Sequence, residues 1–510
     1  MGDRDRTFHA DFLASPATMD AFDRALVAAN DPPVFFQRDG VVVKIVVRKD
    51  GTPMISNVTD DQLWGAAQRA TRWVKGGEAN FHEVVPPRQI GALYRVFPKK
   101  TLPTITGLAT APFIRRDGTA VTAPGYDPVT GIFLHVPPGE IFHAVPETPT
   151  EEDVAYAVQL LDNALADFEF LEEADRTNAL AMLLSPFLRE VVGEPAPAGL
   201  LDKNANGVGA SLFADTVSVT LTGRTTLPIT GIPRGYKGEQ LLMSACSSGA
   251  QMLLVDNCTS INSGALAAFL TSGGMAGRQT GGHAWADDPA PPITLITGVR
   301  VRTSTEIARR LVLIQLSSEH PFPCDRVPEG GWRVPDLRKH VRDHRGWYVW
   351  SVLTIIRHWF ANGCPMGRER LGSFERWASV MGGILGLICK QGFLSNTARL
   401  RRSVDDETGQ WTALVESWWL THQTSVVGAG DLVKIIDRFG IQIPLDGDSE
   451  RKRSSSMGYL LRDRDGRQYG SYRIVQVGAR TGNSNGYRLT FVGQLPAASD
   501  DTREALSEGA

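Results

Sequence analysis

The sequence predicts a multidomain α/β protein built around a largely parallel β-sheet. Three observations lead to this class. A chain of 510 residues is too long for one hydrophobic core, since domains average roughly 150 residues. Its composition, 42% hydrophobic and 21% charged, is that of a globular protein. Between residues 195 and 320, short apolar runs alternate with helical patterns, as in sheets that carry helices on both faces.

The first predicted domain, residues 1–146, is mixed α/β. Val41–Val47 is rich in β-branched residues and lies between two Asp-Gly pairs, which is the pattern of a strand between turns. A second strand at Ala111–Ile114 runs into another Asp-Gly turn, and a third is predicted at Ile132–Val136. Prolines between 137 and 149 then form a linker to the next domain.

Residues 147–330 are predicted to form the core domain with its preceding helices. Thr150 is a suitable N-cap, and three acidic residues in the following turn favour a helix start. Apolar residues then recur every three or four positions and give this helix one apolar face. A second helix is predicted over Asn178–Val192, with Pro186 kinking it or ending it early. The strands of the core are predicted at Gly199–Leu201, Met252–Val255, Ile293–Ile296 and Leu311–Ile314.

The C-terminal third is predicted to hold a helical domain at 331–450, a small basic domain at 451–496 and a disordered tail at 497–510. Between 451 and 488, nine Lys and Arg residues stand against two acidic residues, a charge of +7. Because the whole chain carries −3, the remainder carries −10. The near-neutral total is therefore a cancellation, and it leaves nucleic-acid binding open.

The cysteine and apolar patterns exclude several classes. The five cysteines are sparse, and no two of them form a C-x-x-C pair. Neither a disulfide framework nor a structural zinc site is indicated, and a reducing cytoplasm is the simplest location. No apolar run approaches the roughly 20 residues that cross a bilayer, so no membrane partner is expected.

A glycine-rich turn after the first core strand is the strongest local signal. The segment Asn206–Ala214 predicts a tight loop that runs into a helix, where backbone N–H groups and the positive helix end converge on an anion. Ser211 would supply the hydroxyl that binds Mg²⁺, but Ala210 takes the place of the usual lysine. On these residues alone, an ordinary strand-to-helix turn is an equally good interpretation. The predicted nucleotide-binding residues are Gly207, Val208, Gly209, Ala210 and Ser211.

Two later segments supply further candidate residues. Asp256 and Asn257 follow an apolar strand, which is where phosphoryl-transfer proteins place an aspartate that coordinates Mg²⁺. Thr297 lies near the end of the next strand. Arg309 and Arg310 precede a fourth strand, where they form either a solvated helix end or an arginine finger for a neighbouring subunit.

The order of these motifs resembles the ATPase core of superfamily 3 and related AAA+ helicases of phages, plasmids and integrated elements, the primase-helicases. Leu371–Trp377 is similar to a helical segment that follows this core, and Pro124–Asp127 to a turn in the N-terminal region of the same proteins. The resemblance covers about residues 30 to 490. It implies an AAA+/superfamily 3-like P-loop core, ATP and Mg²⁺ as cofactors, and Ser211 and Asp256 as metal ligands. It further implies DNA as a partner and a homo-oligomeric ring, expected to be a hexamer.

The sequence departs from the family pattern at two places. Ala210 replaces the lysine that brings a positive charge to the phosphates. The family's sensor sequence Thr-Gly-Asn-Asn becomes Thr-Gly-Val-Arg here, so that the sensor candidates are Thr297, Val299 and Arg300. Both losses weaken hydrolysis, because phosphoryl transfer depends on positioning and charge stabilisation. Lys203 and Arg300 are the nearest replacement cations, and both are expected to face solvent.

The basic C-terminal segment predicts a winged helix. A helix beginning near Arg451 is followed by two basic strands, the order in which a helix enters the major groove and a hairpin contacts the backbone. A solvated basic face is the alternative. The predicted DNA-binding residues are Arg451, Lys452, Arg453, Arg462, Arg464 and Arg473.

Three functions remain open on the sequence alone. The first is a ring-forming, helicase-like DNA-binding protein of a mobile element, active in replication or maintenance, with ATP hydrolysis weakened or lost. The second is a fully ATP-driven DNA helicase in which Ala210 is compensated or was introduced artificially. The third is an unrelated globular enzyme with a coincidental glycine loop. Ala210 and Val299 favour the first, whereas Ser211, Asp256 and the arginine pair favour the second.

Overall fold

The chain divides into two units, residues 1–398 and 399–510. The computed structural model describes residues 7–9, 15–76, 80, 82–98, 100–233, 235–247, 249–271, 292–447, 449–481 and 484–492. The predicted tail at 497–510 lies outside the described residues. The predicted domain limits at 146, 330 and 450 stay predictions.

The first part of unit 1 consists of small sheets packed with helices. Its elements are β1 (Thr7–His9), α1 (Pro16–Ala28), β2 (Phe35–Arg38), β3 (Val41–Val47), β4 (Pro53–Asn57), α2 (Asp60–Ala70), β5 (Arg72–Lys75), β6 (His82–Val84), α3 (Ile90–Val96), β7 (Gly107–Ala109), β8 (Phe113–Ile114), β9 (Ala120–Val121), β10 (Gly125–Tyr126) and β11 (Ile132–Leu134). The three strands predicted here are present as β3, β8 and β11, the last two in shorter form. Phe22, Trp73 and Tyr94 are buried in the main core of this part.

The second part of unit 1 carries the parallel sheet. Its elements are α4 (Glu151–Leu165), α5 (Glu173–Leu184), a 3-10 turn (Ser185–Leu188), α6 (Arg189–Val192), β12 (Ala198–Lys203), α7 (Ala210–Thr222), α8 (Tyr236–Ser247), β13 (Met252–Val255), β14 (Ser260–Ile261), α9 (Gly264–Thr271), β15 (Ile293–Val299), β16 (Arg302–Thr303), α10 (Thr305–Ala308) and β17 (Leu311–Leu316). The strand order is β13-β15-β12-β17, and every neighbouring pair is parallel. All four predicted core strands are therefore confirmed, and their carboxyl ends share one edge of the sheet.

The two helices before the sheet follow their local signals. The Thr150 hydroxyl accepts from the Asp153 N–H and caps α4, as predicted. The start of α5 was predicted wrongly, because the helix begins five residues earlier at Glu173. Asp175 accepts from the backbone N–H of Glu172 and fixes that earlier start. Pro186 ends α5 as predicted, since the chain passes through the 3-10 turn into α6.

Helices dominate the chain after the sheet. They are α11 (Leu337–Asp343), α12 (Arg345–Ala361), α13 (Glu375–Leu387) and α14 (Thr397–His422), and a 3-10 turn (Pro323–Asp325) precedes them. Trp350, Trp359 and Trp377 are buried, as expected for residues that pack a helical region. Among the described residues, no helix is long and apolar enough to cross a bilayer.

Unit 2 has a single apolar core that draws on residues 411 to 489. After α14 come α15 (Ala429–Phe439), α16 (Glu450–Arg462), β18 (Gln468–Tyr469), β19 (Tyr472–Thr481) and β20 (Ser484–Phe491). The strands β19 and β20 form an antiparallel hairpin with β18 at its edge. Val427 also pairs with Tyr487 of β20 through a single-residue antiparallel bridge. Trp411 and Trp418 of α14 are buried against this core.

Candidate functional site

The glycine loop joins the central strand β12 to α7 at the carboxyl edge of the sheet. Gly207 and Gly209 have φ angles of 88° and 97°, in the left-handed region that favours glycine. Gly209 is the N-cap of α7, and no side chain caps this helix. The N–H groups of its first turn therefore lack a side-chain acceptor, and such a helix end attracts anions.

Packing against the loop also leaves little room for a side chain at either position. A Cβ on Gly207 would lie 3.0 Å from the backbone nitrogen of Cys324, and one on Gly209 would lie 3.1 Å from the Phe168 ring. The Asn204 side chain binds the segment that follows β17 and leads to Cys324. Its amide donates to the Ser318 carbonyl (2.8 Å), and its oxygen accepts from the Ser318 N–H (3.2 Å). The glycines alone therefore do not distinguish a phosphate loop from an ordinary tight turn.

The other loop residues differ in exposure. Val208 and Ala210 are buried, whereas Ser211 is exposed at the start of α7. An exposed hydroxyl at this point is available to a metal ion or a phosphate. Ala210 supplies neither charge nor hydrogen bond, so α7 lacks the cation that phosphate loops place at this position.

The structure brings three of the predicted residues together at the ends of β13 and β15. The Thr297 hydroxyl donates to the Asp256 carboxylate. The backbone N–H of Asn257 in turn donates to the Thr297 hydroxyl oxygen over 3.3 Å. Asn257 has a φ of 55°, and its side chain is exposed. These contacts fix Asp256 beside β15, at the edge that also carries the glycine loop.

Gly298 permits the close approach of these two strand ends. Its Cβ, if present, would lie 1.9 Å from the Cys258 carbonyl oxygen. The Cys258 N–H also donates to the Thr297 carbonyl over 2.8 Å. A side chain at 298 would push the segment after β13 away from β15 and separate Asp256 from Thr297.

The remaining sensor candidates, Val299 and Arg300, are exposed. Their turn is held by Asp202, whose carboxylate accepts from the Val301 N–H (2.9 Å) and from the Gln315 side chain (3.1 Å). Burial raises the pKa of Asp202, and these hydrogen bonds oppose the shift. Sequence reasoning missed Asp202, although a charged residue ending an otherwise apolar strand was a usable signal.

Lys203 was expected to face solvent, and this expectation was wrong. It ends β12, with Val299 of β15 on one side and Leu316 of β17 on the other, and only 7% of its surface is exposed. A residue flanked by two strands is covered even at a strand end. Since alternate residues share a face, Lys203 lies on the same face as Leu201 and its partner Thr297. This face carries the hydroxyl that binds Asp256.

The paired arginines are not part of this site within one chain. They precede β17, so they lie at the opposite edge of the sheet from the glycine loop, and a strand of six residues separates the edges by about 20 Å. Arg310 is buried, and its guanidinium contacts the Glu306 carbonyl and carboxylate. Arg309 is exposed. Only Arg309 is therefore available to a second copy of the chain.

The donor set fits Mg²⁺ and a nucleotide in part. Ser211 and Asp256 are hard oxygen ligands of the kind that Mg²⁺ prefers, and the uncapped end of α7 suits phosphate. Within the described ranges, no group of three or more His, Cys, Asp or Glu residues is arranged to hold a metal by itself. A magnesium ion here would thus take further oxygens from phosphates and water. The site fits a nucleotide poorly at Ala210, because no cation is present there to contact the phosphates.

A second candidate site lies on α16 in unit 2. A groove of about 830 Å³ runs along this helix and the start of α15, and the exposed side chains Arg451, Ser455, Tyr459 and Arg462 of α16 line it. The Arg462 guanidinium lies 4.5 Å from the centre of the Tyr459 ring. Lys452 and Arg473 are also exposed. The groove also carries the acidic residues Asp431 and Glu450, so the exposed cations and the aromatic ring belong to the α16 side of the groove.

Two predicted DNA-binding residues are engaged elsewhere. Arg464 is buried, its guanidinium lies 4.2 Å from the centre of the Trp411 ring, and it donates to the Leu460 carbonyl. Arg453 makes two hydrogen bonds to the Asp437 carboxylate, of 3.0 and 2.5 Å, and this contact lowers the pKa of Asp437. Arg464 is therefore withdrawn as a DNA contact, and Arg453 is already paired with a carboxylate.

Comparisons with known proteins leave the family open. No family model matches the chain. No curated protein matches it either. The A form apo structure of the NrS-1 C-terminal region aligns over 92% of this chain and 98% of its own, with 10% identity and a TM-score of 0.33. The structure of SCCmec type IV Cch, an active helicase, aligns over 90% and 97%, with 10% identity and a TM-score of 0.30. Similarity at this level establishes neither a family nor a function.

Proposed function

We propose that this chain is a helicase-like DNA-binding protein of a mobile element, acting in DNA replication or maintenance, whose ATP hydrolysis is weakened or lost. The observation that carries the proposal is the exposed basic face of α16 beside a two-stranded hairpin. The nucleotide-binding character of unit 1 is the second part of the proposal. Each part is supported by its own residues.

The order of elements in unit 2 supports a winged helix. The helix α14 is followed by the short pairing at Val427, then by α15, α16 and the β19–β20 hairpin. In winged helices, the helix before the hairpin enters the major groove and the hairpin contacts the backbone. The exposed cations Arg451, Lys452 and Arg462 would contact phosphates, and Tyr459 lies between them on the same helix face.

The nucleotide part rests on the edge of the parallel sheet. The uncapped end of α7, the exposed Ser211 hydroxyl and the fixed Asp256 carboxylate suit a magnesium-bound phosphate. A contribution from Arg309 requires a neighbouring copy, which favours a ring, for which we propose a hexamer. The absence of a lysine at Ala210 and of an asparagine at Val299 supports weakened hydrolysis.

Lys203 supports a second candidate function, a fully ATP-driven helicase. It is a buried cation on the sheet face that carries Thr297, next to the start of the glycine loop. A lysine so placed would supply the charge that Ala210 lacks. The two candidate functions differ in the expected rate of ATP hydrolysis, whereas both include DNA binding.

The DNA-binding proposal is tested by charge reversal on α16. The double variant Arg451→Glu/Arg462→Glu is compared with Lys434→Glu/Arg438→Glu, which makes the same charge change on exposed positions of α15. Affinity for a short duplex is measured by fluorescence anisotropy at several salt concentrations. The slope of the logarithm of affinity against the logarithm of salt concentration falls in magnitude by about one for each phosphate-binding cation that is removed. We therefore expect the magnitude of this salt slope to fall by about two in the α16 variant.

The α15 variant is expected to keep most of the wild-type slope. Equal losses in both double variants would show that only net charge matters, and would contradict an interface on α16.

A further inference from the structure

Unit 1 contains a cavity that lies apart from the glycine loop. It has a volume of about 700 Å³ and is lined mainly by residues of the segments 104–108 and 185–196. None of its lining residues belongs to the glycine loop or to the Asp256–Thr297 pair. Its size lies within the range of roughly 300–1,000 Å³ that holds small molecules.

Arg189 of α6 lines this cavity, and the nearest acidic charge acting on it is that of its neighbour Glu190. The Arg189 side chain has no hydrogen bond or ion pair within the described part of the chain. Burial lowers its pKa, although part of its surface stays open to the cavity. A partly desolvated guanidinium with donors directed at a cavity favours a ligand that offers oxygen acceptors, because a guanidinium has five donors and no acceptor of its own.

A second arginine lies close to the first. Arg38, at the end of β2, also lines the cavity, and burial lowers its pKa as well. The charges of Arg38 and Arg189 influence each other, and both act on the buried thiol of Cys246 in α8. Two neighbouring cations in a concave, poorly solvated space favour an anion between them.

The remaining lining adds hydroxyls, carboxylates and an apolar wall. The three carboxylates Asp39, Glu190 and Glu194 outnumber the two arginines, so the formal charge of the lining is −1 and its positive part is confined to the arginine pair. A long polyanion would be repelled by these carboxylates. A ligand with one phosphate and several hydroxyl or amino groups would satisfy both kinds of group, since carboxylates accept hydrogen bonds from sugar hydroxyls. The hydroxyls and apolar side chains are those of Thr104, Thr106, Thr130, Ile105, Leu108 and Ile132.

We propose that this cavity binds a phosphorylated small molecule of mononucleotide size, whose phosphate is held by Arg189 and Arg38. The phosphate accepts from both guanidinium groups and gives the Arg189 side chain the acceptor that the described residues do not supply. The site does not depend on the function proposed above, because it shares no residue with the glycine loop or with α16.

Calorimetric titration of the full chain tests the proposal with three probes: adenosine 5′-monophosphate, ribose 5-phosphate and adenosine. We expect the two phosphorylated probes to bind and adenosine not to bind. Arg189→Met should weaken the binding of both phosphorylated probes by at least about tenfold, since it removes a hydrogen bond to a charged group. Arg189→Lys keeps the charge and should weaken binding less, which separates phosphate recognition from misfolding.

Two control variants locate the binding. Arg376→Met removes an exposed arginine next to the buried Trp377 and should leave binding unchanged. Gly209→Val disrupts the glycine loop and should also leave it unchanged. No binding of either phosphorylated probe at millimolar concentration, or binding that is abolished in Gly209→Val but kept in Arg189→Met, would overturn the proposal.

Discussion

At the scale of single residues, the Asp256–Thr297 contact depends on a neighbour that carries no side chain. Gly298 lets the segment after β13 approach β15 so closely that a methyl group would overlap the Cys258 carbonyl. The Asp256 carboxylate and the Thr297 hydroxyl meet because of this approach. The geometry of the site therefore depends on a backbone contact as much as on its polar groups.

Gly298→Ala should therefore destabilise the protein by about 2 kcal/mol or more, through overpacking against backbone that cannot rotate away. The matched control is Gly264→Ala at the start of α9, where a Cβ would have open space. The control should be neutral or slightly stabilising, since alanine favours helix. Denaturant unfolding of both variants measures the difference. Equal stability of the two variants would contradict the close approach.

At the scale of elements, one arginine holds the end of the glycine-loop helix. Arg345, the first residue of α12, donates to the Thr220 and Leu221 carbonyls at the end of α7, over 3.1 and 2.7 Å. It also donates to the Thr110 carbonyl and pairs with the Glu140 carboxylate. Burial lowers its pKa, and Glu140 opposes this shift. The helix is thereby fixed at the end remote from the glycine loop.

Arg345→Met should cost about 3–5 kcal/mol in the free energy of unfolding, because it leaves a carboxylate and several carbonyls without their donor. Arg342→Met, an exposed position one turn earlier on α11, should change stability by less than about 0.5 kcal/mol. Thermal and denaturant unfolding compare the two. A small effect at Arg345 would show that water replaces its hydrogen bonds.

The elements that depend on local signals could be predicted from the sequence. The features that depend on long-range contacts could not. The core strands and the Thr150 cap follow from patterns within a few residues, so they were predicted. Lys203 was misjudged because its burial comes from β15 and β17, which lie about 100 residues downstream. Arg462 and Arg464 are two residues apart and equally basic, yet only the fold directs one to the groove and the other onto Trp411.

At the scale of the whole molecule, unit 2 has its own core. Residues from α14, α15, α16 and the hairpin all contribute to it. The fragment 399–510 should therefore fold alone, unfold cooperatively and retain DNA binding. The fragment 451–510 lacks the half of the core that α14 and α15 supply, and it should not fold. Circular dichroism with urea titration distinguishes them. Cooperative unfolding of the shorter fragment would place the boundary at 451.

The central proposal is that unit 1 has a nucleotide-binding fold whose ATP hydrolysis is weakened or lost. ATP turnover of the full chain, with and without DNA, tests this most directly, beside the variants Ala210→Lys and Lys203→Met. We expect the unaltered chain to turn over far more slowly than the roughly 1–1,000 s⁻¹ of typical enzymes, with DNA binding independent of nucleotide. Ala210→Lys should raise the rate, because it restores a charge at the phosphates. DNA-stimulated turnover within that range by the unaltered chain, abolished by Lys203→Met, would contradict the claim and establish Lys203 as the phosphate-binding lysine.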